Sequence, residues 1–211
     1  VLRFPTLRFA AVVLALLAGG CAGGTPTRPE PGYPPEAPRQ PERLVVAAPD
    51  IADPLAWWRV NIQAPLPADV YATAAQAQAA SQAVEIANEV RIDHGLEPVE
   101  RLPELDRVAQ AHARDQAIRD YWSHWTPEGL GSAQRMLAGG NLVVTVGGEN
   151  SSIVTPEIHT PGQIVQGWLG HVGHRELLLS SKVRYTGMGV YNYGPGEWTF
   201  YVQLLVDLSP E

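Results

Sequence analysis

Apolar and polar positions alternate along this chain with two distinct periods, and the change of period locates most of its elements. From Ala74 to His94 the sequence is rich in Ala, Gln and Glu and is closed by Gly95, which predicts one long helix ending at a glycine stop. Pro103 opens a second helix, in which Leu105, Val108, Ala109, His112 and Gln116 fall at i, i+3, i+4, i+7 and i+11 and define one inward face. His112 therefore points inward, and a core histidine satisfied by one hydrogen bond is a simpler reading than a site residue. Glycines at 129, 131, 139 and 140 predict a long loop, and Leu142 to Val146 is a short run suited to a buried strand. Pro161 to Trp168 has the composition of a short helix. Gly187 to Tyr193 and Trp198 to Leu208 read as two strands around Gly194-Pro195-Gly196, a hairpin signal. In the last strand Trp198, Phe200, Val202, Leu204 and Val206 alternate with Thr199, Tyr201 and Gln203, so it has one clear inner face. Helices before and between antiparallel strands fit an α+β domain with a sheet covered on both faces.

The first 72 residues follow neither period. Arg3 and Arg8 precede the apolar run Phe9 to Ala18, and Gly19-Gly20-Cys21 follow, the layout of a secretory signal. Ten apolar residues are too few for a spanning helix, which needs about 20. Cys21, the only cysteine, stands directly after the small residues, as in a bacterial lipoprotein signal where the thiol is lipidated. Ala18 holds the position usually taken by Leu, with Leu17 one further back. On this reading residues 1–20 are a signal peptide and Cys21 is the membrane anchor. Ala22, rather than Asp, follows the cysteine, which by analogy with Gram-negative lipoproteins favours the outer membrane, with the domain facing the periplasm or the surface. Between Cys21 and Pro67 lie 11 of the chain's 19 prolines, so residues 21–72 are expected to be a Pro-rich tether, ending in an arm whose Trp57 and Trp58 pack on the domain. With a single cysteine no intrachain disulfide can form, and stability must come from the core.

Residues 73–211 are a normal length for one domain. Charge removes one function class. The chain carries 15 basic and 22 acidic residues, and loss of Arg3 and Arg8 with the signal deepens the imbalance. No basic patch is present, so no nucleic-acid partner is expected.

The candidate chemistry is spread over fifty residues. His124 lies 25 residues before Glu149, and His174 lies 25 after it, with His171 close by, so only a fold can gather them. Asn88-Glu89-Val90-Arg91, the His-Gly-Leu at 94–96, Ala111-His112-Ala113-Arg114-Asp115, His124, Gly148-Glu149-Asn150, Trp168, Gly173-His174-Arg175 and Gly187-Met188-Gly189-Val190 occur in order. Over roughly residues 76–207 this resembles the bacterial branch of the CAP superfamily, the SCP-like domain of cysteine-rich secretory proteins, antigen 5 and pathogenesis-related proteins. The resemblance implies a three-layer α-β-α sandwich with a small antiparallel sheet between helices. It also implies a cleft of two His and two Glu that holds a divalent cation in some members. Carried over, His124 and His174 match the histidines and Glu149 the Gly-Glu-Asn carboxylate. The second Glu falls on His171, a departure from the pattern.

Three imidazoles and a carboxylate suit Zn or another divalent cation, with His124, Glu149, His174 and His171 as ligands. The alternative is that Glu149 simply accepts hydrogen bonds from His124 and His174, a pairing that a costly buried carboxylate would itself explain. Ser123, Ser151 and Ser152 neighbour site residues, but a Ser–His pair needs hydrogen-bond contact. Asn88, Arg91 and Asn150 read as fold supports, with Arg91 a partner for a carboxylate or a helix end, and Arg175 as an ion-pair partner of Glu176 or another acid. Two functions remain open. One is a non-enzymatic, lipid-anchored envelope module that binds a hydrophobic molecule, a wall component or a protein in the cleft. The other is a metal-dependent hydrolase of peptide or wall substrates, with Glu149 as general base.

Overall fold

The computed structural model describes residues 55–56, 58–59, 73–155, 160–192 and 198–209. The expected signal, anchor and tether lie outside these residues, as do Trp57 and the Gly194-Pro195-Gly196 turn.

Helix α1, Ala74–Asp93, starts where the Thr73 hydroxyl accepts from the Gln76 amide at 3.2 Å, and Gly95 beyond its end adopts a positive φ of 72°. Its buried face is small (Ala80, Ala83, Val84, Ala87), which lets the backbone approach the sheet closely. Strand β1, Glu100–Arg101, leads into helix α2, Pro103–Arg119, with proline in its first turn. All five residues of the expected inward face of α2 are fully buried.

Residues 129–140 correct the expected long loop. Helix α3, Ser132–Gly140, occupies most of that stretch, with the glycines at its margins and Asn141 closing it in the left-handed region. Between those margins Ala, Gln, Arg, Met and Leu are all good helix formers, and the glycines at the ends do little to weaken it. Strand β2, Val144–Val154, is longer than expected and starts later. Val143, just before it, is 57% exposed, Val144 is half-buried, Val146 is 37% exposed, and full burial begins only at Glu149. Gly147, at φ +136°, sits beside a register shift in the β2–β4 ladder.

Helices α4, Pro161–Gly170, and α5, Val172–Leu178, follow. Thr160 and Gln163 form a capping box at the start of α4. Strands β3, Tyr185–Tyr191, and β4, Thr199–Leu208, complete a four-stranded sheet of order β1-β3-β4-β2. The β3–β4 and β4–β2 pairs are antiparallel and the short β1–β3 pair is parallel. Both faces of β4 are buried, which corrects the expectation of one inner face. Phe200, Val202, Leu204 and Val206 pack toward α2, whereas Tyr201 and Leu205 pack toward α1 and α4. The result is the three-layer α-β-α sandwich, with a core on each side of the sheet. Trp58 is buried in the α2-side core, so this part of the arm packs on the domain.

Helix α2 also covers the β3 edge beyond the two-residue strand β1. Asp106 Oδ1 accepts from the Met188 amide at 2.9 Å and Gln110 Oε1 from the Val190 amide at 2.7 Å, so side chains replace a neighbouring strand. Glycine permits this approach. A Cβ at Gly187 would lie 2.2 Å from the Leu105 carbonyl carbon, and one at Gly189 2.3 Å from that of Ala109. Gly189→Ala is therefore expected to destabilise the domain by roughly 3 kcal/mol or more in urea unfolding. Gly167→Ala, with no atom within 4 Å of its Cβ and a helical backbone, should be neutral or slightly stabilising. Equal effects of the two substitutions would contradict the close helix–strand contact.

Candidate functional site

Side chains leave β2 in two directions, and the site grows from that alternation. On one face Ser151 Oγ accepts from the Trp122 indole at 3.1 Å, and Glu149 meets His124, so the segment after α2 lies along this face. On the other face Asn150 Nδ2 donates to the His174 carbonyl at 3.4 Å, and Ser152 Oγ accepts from the Trp168 indole at 2.8 Å. Helices α4 and α5 are thereby held to the opposite face. Since β2 is an edge strand, the two groups meet around its free edge. The His124 and His174 rings come within 6.2 Å, edge to face, although they arrive from different layers.

Glu149 is the centre of the arrangement. Its Oε1 lies 3.0 Å from His124 Nδ1 and 3.7 Å from His112 Nε2. Its Oε2 accepts from Arg135 Nη2, on the first turns of α3. Arg135 is completely buried, and its Nη1 also donates to the carbonyls of His124 at 2.8 Å and Leu130 at 2.9 Å. His112 Nε2 lies 3.0 Å from the Ser123 carbonyl, so it is a satisfied core histidine that also borders the carboxylate. A second cluster fixes the start of the His124 segment. Tyr121 donates to Asp115 at 2.5 Å, and Arg119 binds Asp115 at 2.7 Å and Glu128 at 3.0 Å.

The electrostatics follow from burial and from Arg135. Burial pushes the Glu149 carboxyl up, but Arg135, with His112 and His124, outweighs it and brings the pKa to about 2. Burial, reinforced by Arg135, lowers His112 to about 3. Burial, followed by the neighbouring His171 and His124, lowers His174 to about 4. At neutral pH the centre holds a carboxylate, a guanidinium and uncharged His112 and His174.

His171 is the junction residue between α4 and α5, with extended backbone, and its ring centroid is 4.6 Å from that of His174. A cleft of about 220 Å³ opens beside the centre, lined by His124, Trp125, Glu149 and the start of α3 from Gly131 to Gln134. His171 and His174 stand outside that lining. Among the described residues no three His, Cys, Asp or Glu side chains are grouped so as to hold a metal. The neighbouring serines are engaged elsewhere. Ser123 Oγ accepts from the Trp125 amide, and Ser151 and Ser152 accept from indoles.

Residues 84–205 match the cysteine-rich secretory protein family, CAP. The chain belongs to this family. Its CAP domain is 32% identical over 115 residues to the uncharacterized membrane protein YlbC of Bacillus subtilis, covering 54% of this chain and 32% of that one. It is 28% identical over 116 residues to YkwD of the same organism, covering 55% and 43%. The chain thus spans less than half the length of either relative. An extracellular protein containing an SCP domain from Bacillus anthracis superposes with a TM-score of 0.52 at 26% identity, covering 62% of this chain and 41% of that one. An outer surface protein from Borrelia burgdorferi superposes with a TM-score of 0.51 at 17% identity, over 60% of this chain and 90% of that one, and shares the fold.

Sequence reasoning missed Arg135 in this CAP domain because the glycine spacing assigns its stretch to a loop. The available signal was the helix-forming composition of 132–138 between its glycines. Asn88 ties α1 to Val99 through two hydrogen bonds, at 3.0 and 2.8 Å. Arg91 caps the end of α5 by donating to the carbonyls of Leu178 and Ser180, at 2.8 and 2.9 Å. Arg175 reaches the Leu169 carbonyl at 3.5 Å rather than an acid, among the described residues.

His112, His174 and Glu149 all have folded pKa values below their ordinary ones. At these three groups the folded domain binds fewer protons than the unfolded chain, and they contribute fully only above about pH 6.5. Stability should fall as pH drops from 6.5 toward 3. His112→Gln should be less stable at pH 7 but decline less between pH 7 and pH 4.5, by on the order of 2 kcal/mol in urea unfolding. Parallel declines would show that His112 carries no part of the linkage.

Proposed function

We propose that this CAP domain is an exported, lipid-anchored envelope module that binds a ligand in the cleft beside Glu149 without transforming it. The observation that carries this reading is that Glu149 is fully committed, with one oxygen on Arg135 and the other on His124. A carboxylate so held, and ionised down to about pH 2, is a poor general base for water. No serine or threonine hydroxyl is hydrogen-bonded to His124, His171 or His174 among the described residues, so a nucleophile–base pair is lacking as well.

The cleft favours a small neutral group with a flat apolar side. One wall is Trp125, 52% exposed, whose ring lies against Gly131, where a Cβ would come within 3.0 Å of it. The lining also includes His124 and a carboxylate whose charge Arg135 already offsets. At about 220 Å³ the cleft is below the ~300–1,000 Å³ of drug-sized pockets, so it suits one ring of a wall polymer rather than a whole lipid or a protein surface. Exposed aromatic rings provide such contact at low entropic cost.

The export and anchoring part rests on the Phe9–Ala18 run, Gly19-Gly20-Cys21 and the Pro-rich residues that follow. Among the described residues no helix is long and apolar enough to cross a membrane. Stable attachment through Cys21 needs more than one acyl chain.

Two measurements test the reading. Purified protein should be retained by isolated cell-wall sacculi, and Trp125→Ala should weaken retention about tenfold with unchanged melting. Equal retention of wild type and variant would remove the cleft from the account. Cys21→Ser should shift the protein from the detergent phase to the aqueous phase on partitioning, and identical partitioning would rule out the anchor.

A further inference from the structure

We infer that Arg135 is the resident cation of this centre, holding by ion pairing and hydrogen bonds the arrangement for which the family resemblance implied a divalent metal. The resemblance placed a cation among His124, Glu149 and His174. In this chain the positive charge beside Glu149 is covalent. Arg135 is completely buried, donates to Glu149 Oε2, and is anchored by its other terminal nitrogen to two main-chain carbonyls, of His124 and Leu130. The second oxygen faces His124 Nδ1 at 3.0 Å and His112 Nε2 at 3.7 Å. A metal ligated by Glu149 would have to displace one of these partners. Displacing Arg135 leaves a buried guanidinium without its counter-charge, and keeping it sets a divalent ion beside a buried like charge. The donor set around Glu149 does not fit a metal.

The same contacts assign the state of His124. A carboxylate paired with a guanidinium can only accept, so His124 Nδ1 carries a proton and, in the neutral ring, Nε2 keeps the lone pair. In that neutral form His124 accepts a hydrogen bond from a donor group on the bound ligand, and Arg135 is a positioning residue that acts through Glu149. This assignment shares its location with the binding reading but depends on none of its ligand chemistry. Failure of sacculus retention alone would leave it standing.

The experiment compares the full chain with Arg135→Gln and Arg135→Lys, using zinc as the probe. Wild type should show no change in melting temperature with zinc or with EDTA, and nitrogen NMR should report the Nδ1–H tautomer of His124 under both conditions. Arg135→Gln should lose the single tautomer, and zinc should raise its melting temperature by restoring a cation beside Glu149. Arg135→Lys should recover part of the wild-type tautomer signal. Should Arg135→Gln fail to fold, the wild-type titration and Arg135→Lys still decide the matter. Stoichiometric zinc in the wild-type protein, lost in Glu149→Gln, would overturn the inference. So would an unchanged His124 tautomer in a folded Arg135→Gln.

Discussion

The contact between Arg135 and Glu149 organises the most unusual part of this domain. Both side chains are withdrawn from water, each at a cost of several kcal/mol, and each is tolerable only because the other is present. The pair does more than cancel charge. Glu149 belongs to the edge strand β2 and Arg135 to α3, and the guanidinium also holds the carbonyls of the chain between His124 and Leu130. One ion pair thus fixes the distance between a strand, a helix and the irregular segment that carries the cleft histidine. Replacing both groups by apolar side chains of similar shape could preserve the packing, but it would lose the orientation of His124.

Small residues determine how the layers meet around that pair. The alanine face of α1 and the glycines at 187 and 189 bring helices almost onto the sheet backbone. With α2 seated directly on β3, His112 has a fixed height above the sheet, close enough to border Glu149 from below. The opposite layer is tied in by Asn150 and Ser152, which hold the His174 carbonyl and the Trp168 ring. Residues adjacent along β2 therefore serve opposite layers, and the site exists because both layers reach around the same edge.

Much of this was legible in the sequence where one periodicity or one cap dominates. Helices α1, α2 and α4 announced themselves by composition, by proline or glycine at their ends, and by the inward face through His112. The two final strands followed from alternation and an intervening Gly-Pro-Gly. Helix α3 was hidden because it is short and its flanking glycines resemble a loop. Strand β2 was misplaced because Val143, just before it, and Val146 are exposed and Val144 is only half-buried, while its buried stretch is the polar Glu149-Asn150-Ser151. Burial there is decided by ion pairing and hydrogen bonds rather than by hydrophobicity, so no hydropathy pattern marks it. The residues of the carboxylate–histidine group were visible as an ordered family pattern. Their partner Arg135 was not, since the contact joins positions 14 residues apart through tertiary structure alone.

The edge position of β2 has a consequence for self-association. An edge strand of 11 residues is a template for strand addition by a second molecule, and hydrogen-bonded growth from such an edge leads to aggregates. On the β3 side of the sheet the polar side chains of α2 close that route. On the β2 side the contacts come from side chains of α3 and the carbonyl of His174 in α5, the ladder carries a register shift beside Gly147, and the segments of His124 and His174 flank the strand. The segments that bring His124 and His174 together thus also stand around the one long edge at which a further strand could add.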